Sequence, residues 1–152
     1  MASSVPIADL LPHGPQMTLI ERLIEYSQQR SVASVTIRRD SPFFEDSGVP
    51  SWVGIEYMAQ TIAAHAGYEA RLRGEAPAVG LLLGTRFYRS EVGTFALGTT
   101  LTISVQPSFA DSKLGVFQCS IAAEERLLAT AVVNIYRPAA EELEAMRRAA
   151  LA

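Results

Sequence analysis

Between Ser47 and Tyr68 the chain carries one charged residue, Glu56, in a run that is mostly apolar and rich in Ala. No other stretch narrows the fold as much. Pro50 stands just before the run and Gly74 follows Arg73, the punctuation of a helix over Ser51 to about Arg73, about six turns long at the α-helical pitch. Trp52, Val53, Ile55, Met58, Ala59, Ile62, Ala63 and Ala66 make it apolar nearly all round, which predicts a helix buried inside the protein. Such a helix needs cover on most of its sides.

The cover is written in the flanking segments. Thr18–Tyr26 and Val32–Arg39 are apolar, β-branched runs joined by Ser27–Arg30, and they read as two strands. After the helix come Ala78–Tyr88, then Leu97–Val105, where Leu101, Ile103 and Val105 alternate with Thr100, Thr102 and Ser104. Phe117, Cys119 and Ile121 repeat that alternation, and Leu127–Tyr136 closes the series before Pro138. From Ala139 onward, Glu141, Glu142 and Glu144 precede Arg147 and Arg148. That charge order suits a short terminal helix over about 139–151.

Two strands, a long helix and four further strands form an α+β pattern: a curved antiparallel sheet of about six strands wrapped around one central helix, the hotdog arrangement. With 152 residues the expectation is a single domain over 1–152. A sheet of this kind leaves an edge to pair, and dimerisation covers it. Only 19% of residues are charged and 49% are hydrophobic, a deficit that fits a surface shared with another subunit or with a ligand tunnel.

Charge and cysteine usage remove other classes. A net charge of −3 argues against nucleic acid as the main partner. Val92–Ala110 lacks Asp, Glu, Lys and Arg but alternates Thr, Ser, Gly and Gln with apolar residues, a strand pattern rather than a membrane span. One cysteine, Cys119, excludes an internal disulfide framework and fits a reducing compartment; with no secretory leader visible, the expected location is cytoplasmic. No metal-ligand spacing or phosphate loop is present, and neither metal nor cofactor is expected.

Chemistry concentrates on Glu56. A carboxylate in an apolar helix opening is how a protein prepares a general acid or base, while a carboxylate there can also pair with a cation, reach solvent or serve the helix dipole. Gln60, one turn on, can orient it. The two histidines are His13, in the loop Leu-Pro-His-Gly-Pro, and His65, half a turn round the helix from Glu56. Both read first as hydrogen-bonded structural residues, with His13 also a candidate catalytic residue beside Glu56, and Cys119 reads as a small hydrophobe.

The segment PFFEDSGVPSWVGIEYMAQTIAA, Pro42–Ala64, resembles the catalytic segment of hotdog-fold 3-hydroxyacyl-(acyl-carrier-protein) dehydratases, with its Pro-Phe-Phe start, later Pro and Glu-x-Met-Ala-Gln on the helix. Supporting matches run through LPHGPQMTLIERL, GTRFYRSEVGTFALGTTLTISV and FQCSIAAEERLLATAVVNIYRP. LPHGPQM, GVPSWVGIEYMAQ and GLLLGTR are most similar to the dehydratase-like subunits of aryl-polyene synthesis, a type II polyketide-like pathway.

The resemblance implies that Glu56 is the catalytic carboxylate, Gln60 its orienting neighbour and Pro50 the helix-opening proline, with the thioester held near Gly48, Pro50, Ser51 and Trp52. In such enzymes a loop histidine and a glutamate of the partner subunit share the elimination, and backbone N–H groups at the helix start polarise the thioester carbonyl. Two departures stand out: Glu45-Asp46-Ser47-Gly48 replaces the histidine-bearing loop, and Ser51 replaces a glycine. His13 lies in a shared motif that does not supply the catalytic histidine there.

Three functions are therefore open: a dehydratase that borrows an imidazole from a paralogous subunit, a hotdog thioesterase using Glu56, and a non-catalytic partner of an active paralogue. Homodimer and heterodimer are both compatible with the pattern. An acyl carrier protein is acidic, so Arg86 and Arg89, or Arg38 and Arg39, are candidates for docking it, against the plainer reading of solvated strand-end charges.

Overall fold

The computed structural model describes residues 2–7, 10–11, 18–75, 81–111 and 113–151. His13 and residues 78–80 of the expected third strand lie outside them. The strands are β1 (Ala2–Pro6), β2 (Arg22–Ser27), β3 (Arg30–Thr36), β4 (Gly48–Pro50), β5 (Leu81–Ser90), β6 (Thr94–Ala96), β7 (Thr100–Ala110), β8 (Leu114–Ala123) and β9 (Arg126–Tyr136). A 3-10 turn (Ser51–Val53) leads into α1 (Gly54–Leu72), and α2 (Ala140–Leu151) follows β9. No helix among the described residues is long and apolar enough to cross a membrane.

Seven strands form one antiparallel sheet in the order β1-β2-β3-β7-β8-β9-β5, and β4 pairs with β6 in a small second sheet. The hotdog expectation is borne out: the six anticipated strands wrap α1. The seventh, β1, extends the edge beyond β2. Its sequence, ASSVP, carries no alternation and ends in proline, so nothing local announced it.

Alternation along the strands sets the core. Leu101, Ile103 and Val105 of β7, Phe117, Cys119 and Ile121 of β8, and Ala131, Val133 and Ile135 of β9 point at the helix, while Thr102, Ser104, Gln118 and Ser120 face away. The β7–β8 register pairs Ile103 with Ile121 and Val105 with Cys119, so apolar rows run unbroken across the sheet. Burial pushes the Cys119 thiol up to about 12, and it packs as a small apolar group.

From α1 the core receives Tyr57, Met58, Ile62, Ala64 and Tyr68. Leu10 lies against the helix at Gly67, where a Cβ would lie 2.9 Å from the Leu10 carbonyl carbon. The helix is not buried all round, however. Ile55, Ala59, Ala63 and Ala66 are only half-buried and Trp52 is 60% exposed. These residues recur every three or four positions, so they form one stripe that the sheet does not reach.

Candidate active site

Glu56 lies in the first turn of α1, on that incompletely covered stripe. One turn further along, Gln60 is 1% exposed and bonded at both ends of its amide. The Leu19 N–H can only donate, so the Gln60 carbonyl oxygen faces it at 2.8 Å. That leaves the Gln60 Nε2 to donate to Glu56 Oε1 at 3.1 Å. A backbone amide from the chain before β2 thus fixes the glutamine, and the glutamine fixes one carboxylate oxygen. The carboxylate stays half-exposed, and among the described residues Gln60 is its one hydrogen-bond donor. The same contact explains why the first strand starts later than its sequence suggests. Leu19 directs its N–H to Gln60, and the ladder begins at Arg22.

The helix opening is held by strands on two sides. Gly48 and Val49 are buried in β4, and Pro50 pairs with Thr94 of β6. The Ser51 N–H donates to the Gly93 carbonyl at 3.0 Å. The Ser51 carbonyl accepts both the Gly54 N–H, which closes the 3-10 turn, and the Tyr88 hydroxyl. Gly54 is required there because a Cβ would overlap the Tyr88 oxygen and sit 3.0 Å from Ile121 Cδ1.

The loop before β4 closes on itself. Glu45 and Gly48 exchange backbone bonds of 2.8 and 3.0 Å, and Phe43 and Asp46 take left-handed backbone angles, φ 67° and 53°. No imidazole is available from this loop. Instead it presents Phe43, 55% exposed, whose ring meets Trp52 edge-on at 5.5 Å between centroids. Trp52 stands about one helical turn before Glu56.

His65 is placed elsewhere. It is 2% exposed, its Nδ1 lies 2.7 Å from Ser31 Oγ, and its Nε2 lies 3.4 Å from Glu69 Oε1. Tyr26 and Phe117 flank the ring. Burial pushes its pKa down, against the pull of the nearby Glu69 carboxylate. It is bonded into the core and does not meet Glu56.

Arg86 and Arg89 lie on either side of a bulge in β5, which is an edge of the sheet, and Arg89 pairs with Glu91 at 3.3 Å. Arg38 pairs with Glu21 at 3.4 Å, and Arg39 is exposed in the turn after β3. Among the described residues no group of three or more His, Cys, Asp or Glu could hold a metal ion. Gly54, Tyr88 and the backbone of Leu19 escaped the sequence reading of the site. A glycine inside an otherwise helical pattern was the available signal for the first; nothing local signals its partner 37 residues on from Ser51.

Comparison with known proteins gives the chain its relatives. The family described as ApeP-like, ApeP dehydratase, matches residues 5–147. Among solved structures, the dehydratase heterocomplex ApeI:P from Xenorhabdus doucetiae contains a chain 34% identical, with a TM-score of 0.88 over 93% of this chain and 97% of that one. A hypothetical thioesterase from Streptococcus pneumoniae, solved with coenzyme A, is 12% identical with a TM-score of 0.59, covering 76% of this chain and 84% of its own. The Escherichia coli PaaI protein from the phenylacetic acid degradation operon is 13% identical with a TM-score of 0.59, covering 77% and 78%. These last two share the fold alone. A search of curated proteins finds no match.

Proposed function

The chain belongs to the ApeP-like dehydratase family, and on that premise we propose that it is a subunit of a 3-hydroxyacyl thioester dehydratase. The substrate would arrive on an acyl carrier protein, in aryl-polyene or related fatty-acid and polyketide-type synthesis. The product is the trans-2-enoyl thioester and water. In this reading residues 1–152 form one hotdog unit that pairs with a paralogous dehydratase subunit.

The observation that carries the reading is the relay from the Leu19 N–H through Gln60 to Glu56. It holds a carboxylate at a helix opening, on the helix stripe that the protein's own sheet leaves uncovered. Elimination needs two groups: one takes the C2 proton, and the other delivers a proton to the departing 3-hydroxyl. Glu56 is one of them. The other is an imidazole supplied by the paralogue: the loop of residues 45–48 carries no histidine, His65 is sealed in the core, and the motif around His13 does not supply the catalytic histidine in the dehydratases that this chain resembles. The heterocomplex in the 34% identical relative supports assembly of this kind. Trp52 and Phe43 beside Glu56 are exposed until a partner or an acyl chain covers them.

The test is reconstitution with a histidine-bearing dehydratase paralogue and a 3-hydroxyacyl carrier protein. Dehydration by the mixture, little by either chain alone, and a loss of about a hundredfold or more with Glu56→Gln are expected. Full turnover by this chain alone would overturn the borrowed imidazole. An unchanged rate with Glu56→Gln in an intact complex would reduce the chain to a scaffold, and release of free acid instead of enoyl thioester would make it a thioesterase.

A further inference from the structure

Ser51 is gripped through both of its backbone groups, and the grip on its carbonyl has a directional consequence. The peptide between Ser51 and Trp52 is a rigid trans plane in which the Ser51 carbonyl and the Trp52 N–H point in opposite directions. The Tyr88 hydroxyl takes the carbonyl from the core side, beside Gly54, whose missing Cβ would meet that hydroxyl together with the buried Ile121 and Phe95. The Trp52 N–H is therefore turned away from the core. Being among the first donors of a helical segment, it has no acceptor earlier in that segment.

Three features act together in this arrangement. Gly54 provides the space for the hydroxyl, the Gly93 carbonyl anchors the Ser51 N–H from the other side, and the Tyr88 ring packs against the core cluster. Burial pushes the Tyr88 phenol up to about 12, so it remains a protonated donor across the neutral range. A tyrosine needed only for packing has no use for a glycine cut out around its oxygen.

We propose that Tyr88 is a positioning residue, whose hydroxyl aims the Trp52 N–H at the thioester carbonyl of the substrate, one helical turn from Glu56. The assignment rests on the dehydratase reading above. As the C2 proton leaves, negative charge builds on the carbonyl oxygen, so a donor aimed there is worth more in the transition state than in the bound substrate. Loosening it lowers kcat more than it raises KM.

Tyr88→Phe keeps the ring and removes the oxygen. In the reconstituted complex we expect kcat to fall about tenfold to a hundredfold, somewhat less than outright loss of an oxyanion donor, with KM within about twofold and little change in Tm. In an isotope-labelled sample of the chain, the Trp52 amide resonance should move, a readout independent of turnover. Gly54→Ala should lower kcat in the same selective way and add little in the Tyr88→Phe background. Wild-type dehydration with an equally active Tyr88→Phe variant, or an unmoved Trp52 amide, would overturn this assignment alone. A wild-type complex that forms no enoyl thioester would overturn the dehydratase reading and this assignment with it.

Discussion

The two halves of α1 each hold a titratable side chain through polar neighbours, and they put it to opposite uses. At the front, Glu56 is bonded by Gln60 on one oxygen and stays half-exposed on a stripe that includes Ile55 and Ala59. At the back, His65 has both ring nitrogens engaged, by Ser31 and Glu69, under Tyr26 and Phe117. The chemical types alone would favour the histidine as the reactive group. Exposure reverses that order, because a group already bonded at every polar atom and closed to solvent has nothing left to offer a substrate.

The sharpest way to break this comparison is to remove each group in turn. Glu56→Gln should cost about a hundredfold or more in turnover of the assembled complex and leave Tm nearly unchanged. His65→Leu should do the reverse. It strands the Ser31 hydroxyl in the core at about 1–3 kcal/mol, which lowers Tm by about 2–10 °C in a domain of this size. Thermal melts beside rate measurements decide it, and a catalytic collapse in the His65 variant without a lower Tm would invert the two roles.

Gln60→Glu tests the front alone. The new side chain can still accept from the Leu19 N–H, but it faces Glu56 with a second carboxylate where a donor stood 3.1 Å away. Turnover should fall about tenfold as the reactive carboxylate is pushed out of place. Wild-type rates would show that Gln60 does not hold Glu56.

Acid tests the back. The folded state lowers the His65 pKa, so above the ordinary value of about 6.5 both folded and unfolded chains carry it neutral, and it adds no pH dependence. Below that value the unfolded chain takes up a proton that the fold resists, and stability drains away as pH falls. Arg137 reinforces the resistance while Glu69 opposes it, and the neighbouring Ser31, Tyr26 and Phe117 bring no charge of their own at these pH values. Denaturant titrations between about pH 7 and 5 should show this loss in the wild type and a shallower one in His65→Gln. Parallel curves would remove His65 from the account.

The smallest effect is expected at Trp52. Because it is 60% exposed, Trp52→Ala should change the stability of the isolated chain by about 0.5 kcal/mol or less. The same change should weaken association with the paralogue or raise KM. A large loss of Tm would place the indole in a core it does not occupy here.

These contrasts also show what the chain could and could not reveal on its own. The alternation in β7 and β8 and the length of α1 were legible because a strand period of two and a helix period of 3.6 are local rules. Glu56 and Gln60 were legible as a pair because four residues is one helical turn. Leu19 was not, since it reaches Gln60 across 41 residues, and neither was the Tyr88–Ser51 contact across 37. The apolar character of α1 suggested burial on all sides. Yet Trp52 and the Ile55–Ala66 stripe are apolar where this chain's own sheet does not reach, and hydrophobicity alone does not say whose surface will cover a residue. The position of His65 opposite Glu56 followed from helical geometry, whereas its bond to Ser31 required the sheet.

Cys119 gives the folded chain a built-in counter. Reagents that modify sulfur react with the thiolate, and this thiol is both enclosed by the core and held near a pKa of about 12. The native chain should therefore be silent toward them, and each modification event should mark a moment when β8 comes away from α1. Mass shifts from a brief alkylating pulse would count those openings one molecule at a time. Because Cys119 is the only cysteine in the sequence, no second site would blur the count.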